Sequence, residues 1–142
     1  MVAAGGWLAW QELWVNGGEQ PLAWRDVTAR TLAEPARSRL AVFTSREELQ
    51  AALRERGHSA TVPPIDFATR EAVLVAAGPR SSDAYRLDVV GVTEARGRIV
   101  VAVRERTPSL ARPGAARLTY PFRLITIERR NKAVGLEWRG RP

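Results

Sequence analysis

The sequence predicts a mostly β, α+β domain: one antiparallel β-sandwich or partial barrel spanning residues 1–142, with a single short helix near residues 46–56. Three observations lead there. Short apolar runs alternate with polar residues and are punctuated by Gly, Pro, Asn and Asp, the pattern of strands joined by turns. One window alone combines a helical apolar face with capping residues. The chain of 142 residues, 45% apolar and 26% charged, suits one hydrophobic core, and it holds no run of the ~20 apolar residues that a membrane-spanning helix needs.

The elements follow in order. Trp10-Gln11-Glu12-Leu13-Trp14-Val15 alternates as a strand before a turn at Asn16-Gly17-Gly18, and residues 22–32 place Trp24 and Val27 among polar neighbours. The Trp-rich segment 1–38 thus reads as N-terminal strands, its Trp7, Trp10, Trp14 and Trp24 suited to a core or to an interface. Residues 39–44 form a strand leading directly into the helix. There Thr44 and Ser45 stand three residues before Glu47 and Glu48, the capping-box spacing, Leu49, Ala52 and Leu53 share one face, and Gly57 supplies the stop.

Pro63 and Pro64 forbid a helix, and the unbroken apolar run 71–77 reads as a strand covered on both faces. Two hairpins follow from the pattern. Residues 85–92 and 98–106 flank a tight link with Gly97 at positive φ, and residues 117–129 and 133–139 flank a tip at Arg130-Asn131-Lys132. Val134, Leu136 and Trp138 alternate toward one face, and 107–116 is the one internal stretch with the look of a flexible loop.

Function is read first by exclusion. The absence of cysteine removes thiol nucleophiles, disulfides and thiolate metal sites. His58 is the sole histidine, just past the helix, and neither a GxSxG elbow nor a GxGxxG or GxxxxGK[ST] frame occurs. Lys132 is the sole lysine and is placed at an exposed tip, while Asp66, Glu71, Asp83 and Asp88 are scattered carboxylates. The expectation is no catalytic residue, no metal site, no cofactor and no enzyme.

The net charge of +7 is uneven: residues 1–60 balance seven Arg against seven acids, whereas 96–142 hold twelve basic and three acidic residues. That C-terminal third offers an alternative reading, a binder of anionic ligands or nucleic acid with Tyr120, Phe122 and Trp138 as stacking surfaces. The same aromatics alternate with polar residues in strands, which assigns them to the core and argues against nucleic acid. Arg96, Arg98, Arg104 and Arg106 then solvate a sheet face. The start of the chain shows no basic n-region and no export signal.

Residues 63–67 (PPIDF), 73–80 (VLVAAGPR), 81–85 (SSDAY), 104–108 (RERTP) and 118–127 (LTYPFRLITI), in this order and spacing, resemble the PrcB C-terminal domain family, named for a protease-complex subunit. The resemblance covers about 39–130, with 131–142 as a final strand. It implies a non-catalytic, protein-binding accessory module associated with or modulating a bacterial protease, secreted or in the cell envelope. Where the family has Gly-Gly before the tyrosine, this chain has Asp83-Ala84, and no lipid-anchor cysteine is present. A weaker similarity joins Pro79–Tyr85 and Tyr120-Pro121-Phe122 to the paired loops of chagasin-like protease inhibitors.

These readings place partner contacts on Arg80, Ser81, Ser82, Asp83, Leu110 and Arg112, in loops 79–84 and 107–116 at one end of the sheet. Arg80, Asp83 and Arg112 are expected exposed; Tyr85, Phe67 and Phe122 are expected buried.

Overall fold

The computed structural model describes residues 19–54 and 60–140, so the expectations for Trp7, Trp10, Trp14, Gly17-Gly18, Gly57 and His58 lie outside the described residues. The elements are β1 (Gln20–Pro21), β2 (Trp24–Asp26), a 3-10 turn (Thr28–Arg30), β3 (Arg39–Phe43), α1 (Arg46–Leu53), β4 (Arg70–Ala76), β5 (Arg80–Ser82), β6 (Arg86–Ala95), β7 (Arg98–Arg106), β8 (Ala116–Thr119), β9 (Phe122–Glu128) and β10 (Ala133–Trp138). They form two four-stranded sheets, β1-β6-β7-β10 and β2-β9-β4-β3, and a two-stranded ribbon of β5 and β8.

The sheets face one another as a sandwich. Val73, Val75, Ile125 and Ile127 of one meet Leu87, Val89, Val92, Ile99, Val101 and Val103 of the other, with Trp24, Val134 and Leu136 packed against them. The second face of the β4-containing sheet is covered as well, because Ala72, Leu74 and Leu124 pack under Leu49 and Leu53 of α1 and Val62. β4 is therefore buried along its length, which is why its sequence runs apolar without alternation. Within α1, Ser45 Oγ accepts from the Glu48 N–H at 3.2 Å, fixing the start of the helix where the cap was expected. Among the described residues no helix is long and apolar enough to cross a membrane.

The hairpin β6–β7 closes through Arg96 and Gly97, both at positive φ (51° and 77°), the geometry of a two-residue hairpin turn. A bulge lies between Val89 and Gly91 in the pairing with β7. By strict alternation Gly91 would follow Leu87 and Val89 inward; the extra residue resets the pleat so that Val92 enters the core instead.

The second expected hairpin does not form. β10 pairs parallel to β7, Val134 opposite Ile99 and Trp138 opposite Val103, while β9 pairs antiparallel with β4 and β2 in the other sheet. Residues 129–132 are a crossover between sheets, and Asn131 takes positive φ (52°) there. Lys132 accordingly meets Glu94 of β6 rather than standing free at a tip, and Arg130 meets Glu94 and Glu128. These cations draw the Glu94 carboxyl below its ordinary range, the Lys132 hydrogen bond first among the causes. Nearby Glu71 shifts the other way: it is buried, its Oε1 lacks a partner, and desolvation raises its pKa against the lowering pull of the Arg130 backbone N–H and the Arg129 charge.

The stretch 117–129, read from sequence as one strand, is two. Pro121 has no N–H to donate, and the break at Tyr120-Pro121 lets β8 leave the sheet to join β5 while β9 stays with β4. Asp66 explains the IDF motif before β4: its Oδ1 accepts from the Ala68 N–H and its Oδ2 from the Thr69 hydroxyl, both at 3.1 Å, closing the turn that feeds the strand.

Candidate partner-binding surface

The ribbon β5–β8 brings the two predicted loops to the same end of the sandwich. Arg80 stands opposite Thr119 and Ser82 opposite Ala116, with a register shift between them. Backbone and side chains then lock the loops together: Asp83 N–H donates to Ala115 O, Ala115 N–H donates to Asp83 Oδ1 at 2.8 Å, and the Ser82 hydroxyl donates to Pro113 O at 2.9 Å. The Thr119 hydroxyl closes the pair by donating to Ser82 O. Residues 107–116 are thereby folded, with Ser109 and Arg112 exchanging backbone bonds at the loop tip.

Gly114 makes this closeness achievable. It has φ of +70°, and a Cβ there would stand 2.6 Å from both the Ala84 Cβ and Asp83 Oδ1. Asp83 and Ala84, by contrast, are absent from the positive-φ positions, so this turn does not need the family's two glycines.

The six predicted contact residues divide. Ser81, Asp83, Leu110 and Arg112 are exposed, Leu110 completely so at 105% relative accessibility. Ser82 is buried, and Arg80 is half-buried where exposure was expected. Ser82 spends its hydroxyl on the loop junction. Arg80 donates from Nε to Glu105 Oε2 at 2.8 Å and from Nη1 to the Ala77 and Pro79 carbonyls, with its guanidinium carbon 6.0 Å from the centre of the Tyr85 ring. The reason is the pleat of β7, which carries Glu105 inward in line with Ile99, Val101 and Val103 and so demands a cation at the end of the core. Tyr85, Phe67 and Phe122 are half-buried rather than buried, Tyr85 being held from the Arg80 side.

Between the loops lies a groove of about 510 Å³ lined by Asp83, Arg86, Arg106, Thr107, Arg112 and Arg117. Arg106 pairs with Asp88 at 2.8 Å and Arg117 approaches Asp83 at 3.7 Å. Leu110, in the same 107–116 loop, and Leu118, on β8, are exposed. The sequence assigns Trp138 to the core, yet it is 53% exposed although it stands opposite the fully buried Val103, in the last pair of the β10–β7 ladder. Trp138 lines a second cavity of about 410 Å³ with Arg80 and Glu105, placing it at the same end as the loops. No periodicity separates a terminal exposed Trp from a core one.

Among curated proteins and among solved structures nothing matches the chain. A family model does: residues 72–128, which run from within β4 through the loop ribbon to the end of β9, match the family described as PrcB C-terminal.

Proposed function

We propose that the chain is a non-catalytic accessory module that docks a protein partner, a component of a bacterial protease complex, through the loop end of its sandwich. The observation that supports this reading is the pair of loops fastened by Ser82, Asp83 and Gly114, which carry the fully exposed Leu110 and an arginine-lined groove. Apolar side chains kept in water by a rigid frame are the pattern of an interface, since a preorganised loop loses little entropy on binding. The family match over residues 72–128 contains the β5 loop and the whole 107–116 loop, and it supports a protease-related partner.

The test is affinity capture from a bacterial envelope extract with the chain and its Leu110→Asp variant. The expected result is a protease or protease-complex subunit retained by the chain and lost, or weakened about tenfold or more, by the variant. Equal retention by both proteins, or recovery of no protease-related polypeptide, defeats the proposal.

A further inference from the structure

A second groove lies on the opposite layer of the fold, where α1 and the segment around Pro64 stop short of the β2 edge. On β2, Arg25 stands opposite Thr126 of β9, and Thr126 stands opposite Ala72 of β4, so Arg25 projects from the helix-covered face of this sheet. Arg70 shares that face, two residues before Ala72, and donates from Nε to Thr126 Oγ1 at 3.1 Å and from Nη2 to Thr126 O at 2.8 Å. Arg30 comes from the 3-10 turn, which Thr28 fastens to β9 by accepting from the Leu124 N–H at 2.9 Å. Arg46 is the first residue of α1. The four enclose a space of about 610 Å³ with Val27 and Ile65 as apolar walls.

The charge in this groove is only partly offset, four arginines standing against the one carboxylate of Asp66. Among the described residues none of Arg25, Arg30, Arg46 and Arg70 is ion-paired, whereas Arg80, Arg106, Arg117, Arg123, Arg130 and Arg139 each pair with a carboxylate. The one acid at the groove, Asp66, has both oxygens committed to its own turn. Four converging guanidinium groups over apolar walls focus positive potential, and their planar forks suit phosphate or carboxylate oxygens. The volume lies within the range of small-molecule sites, roughly 300 to 1,000 Å³.

We propose that Arg25, Arg30, Arg46 and Arg70 form a binding site for a small polyanion carrying phosphate or carboxylate groups, separate from the loop surface. Pyrophosphate and citrate serve as probes of the two chemistries, in isothermal titration and in thermal unfolding at ionic strength matched with sodium chloride. One probe or both should bind and raise the melting temperature by several degrees near saturation. The one that binds tighter identifies the ligand's anionic group. Arg30→Gln and Arg46→Gln, at exposed positions where the one side-chain bond lost among the described residues is that of Arg46 to the Val62 carbonyl at 3.4 Å, should each weaken binding about tenfold. Arg112→Gln, on the loop surface, should leave it unchanged. The proposal is overturned if neither probe binds, if sodium chloride alone reproduces the thermal shift, or if all three variants lose affinity equally. It is also overturned if a short single-stranded oligonucleotide binds tighter than pyrophosphate and resists displacement by it.

Discussion

The two arginine-lined grooves differ in what their guanidinium groups are doing. At the loop end, Arg80, Arg106 and Arg117 each face a carboxylate while Arg86 and Arg112 pair with none among the described residues, so part of the charge there holds the surface in shape. Under the helix layer, Arg25, Arg30 and Arg46 face none, and Arg70 holds only a threonine. Paired arginines build, and unpaired ones remain available to a ligand. Counting charge along the chain hides this contrast. The basic excess of residues 96–142 is offset in space by Asp26, Asp83, Asp88 and Glu94 from earlier segments, while the groove whose arginines form no ion pair among the described residues draws three of them from residues 1–60, where basic and acidic residues balance.

The largest effect should come from breaking a paired arginine. Arg80→Ala leaves Glu105, 7% exposed, without its cation and frees the Ala77 and Pro79 carbonyls. A loss of about 2 to 4 kcal/mol in denaturant unfolding is expected, since an orphaned buried charge costs more than a surface pair is worth. A loss under ~0.5 kcal/mol would show that Glu105 is hydrated and that the two grooves are alike. Gly114→Ala should follow at about 2 kcal/mol, combining a strained positive φ with contacts of 2.6 Å that force the loops apart. It should also abolish partner capture, whereas Leu110→Asp should leave stability within about 0.5 kcal/mol.

How far the sequence foretold each region follows from how local its cause is. The Ser45 cap, the Arg96-Gly97 turn and the two-faced burial of β4 are written in neighbouring residues, and the structure contains all three. The family resemblance stated for 39–130 meets a model match at 72–128. The crossover at 129–132 reads as a hairpin because a hairpin and a sheet change share the same polar linker with a residue at positive φ; only the register of β10 against β7 separates them. The sequence does not show that Arg80 is half-buried, because its partner Glu105 is 25 positions away. The four-arginine groove was invisible for the same reason, its members being spread over residues 25–70.

Lowering the pH tests the paired side of the contrast. Glu94 has its folded pKa below its ordinary value, so its contribution is fully present above about pH 4.5 and is lost as pH falls through the depressed value. Glu71 has its folded pKa raised, so the folded state holds a proton that the unfolded chain releases; its contribution is favourable below about 4.5 and is lost as pH climbs through the raised value. Glu71→Gln should therefore be more stable than the parent at neutral pH, and the gap should close in acid, as read by urea unfolding between pH 3 and 7. A gap independent of pH would mean that packing, not ionisation, separates the two.

The smallest effect belongs to the unpaired groove. Arg30→Gln and Arg46→Gln remove a cation from an exposed position with no carboxylate partner, so each should change stability by less than about 0.5 kcal/mol. The sign is the informative part. If the four charges repel one another, each replacement should stabilise the protein slightly at low salt, and the gain should fade by about 0.15 M as the Debye length shrinks to ~8 Å. Arg106→Gln, which loses its 2.8 Å contact with Asp88, should move stability the opposite way under the same conditions. A destabilisation by Arg46→Gln equal to that of Arg106→Gln, unaltered by salt, would mean that its 3.4 Å bond to the Val62 carbonyl matters more than the charge, and that this groove too is built rather than vacant of partners.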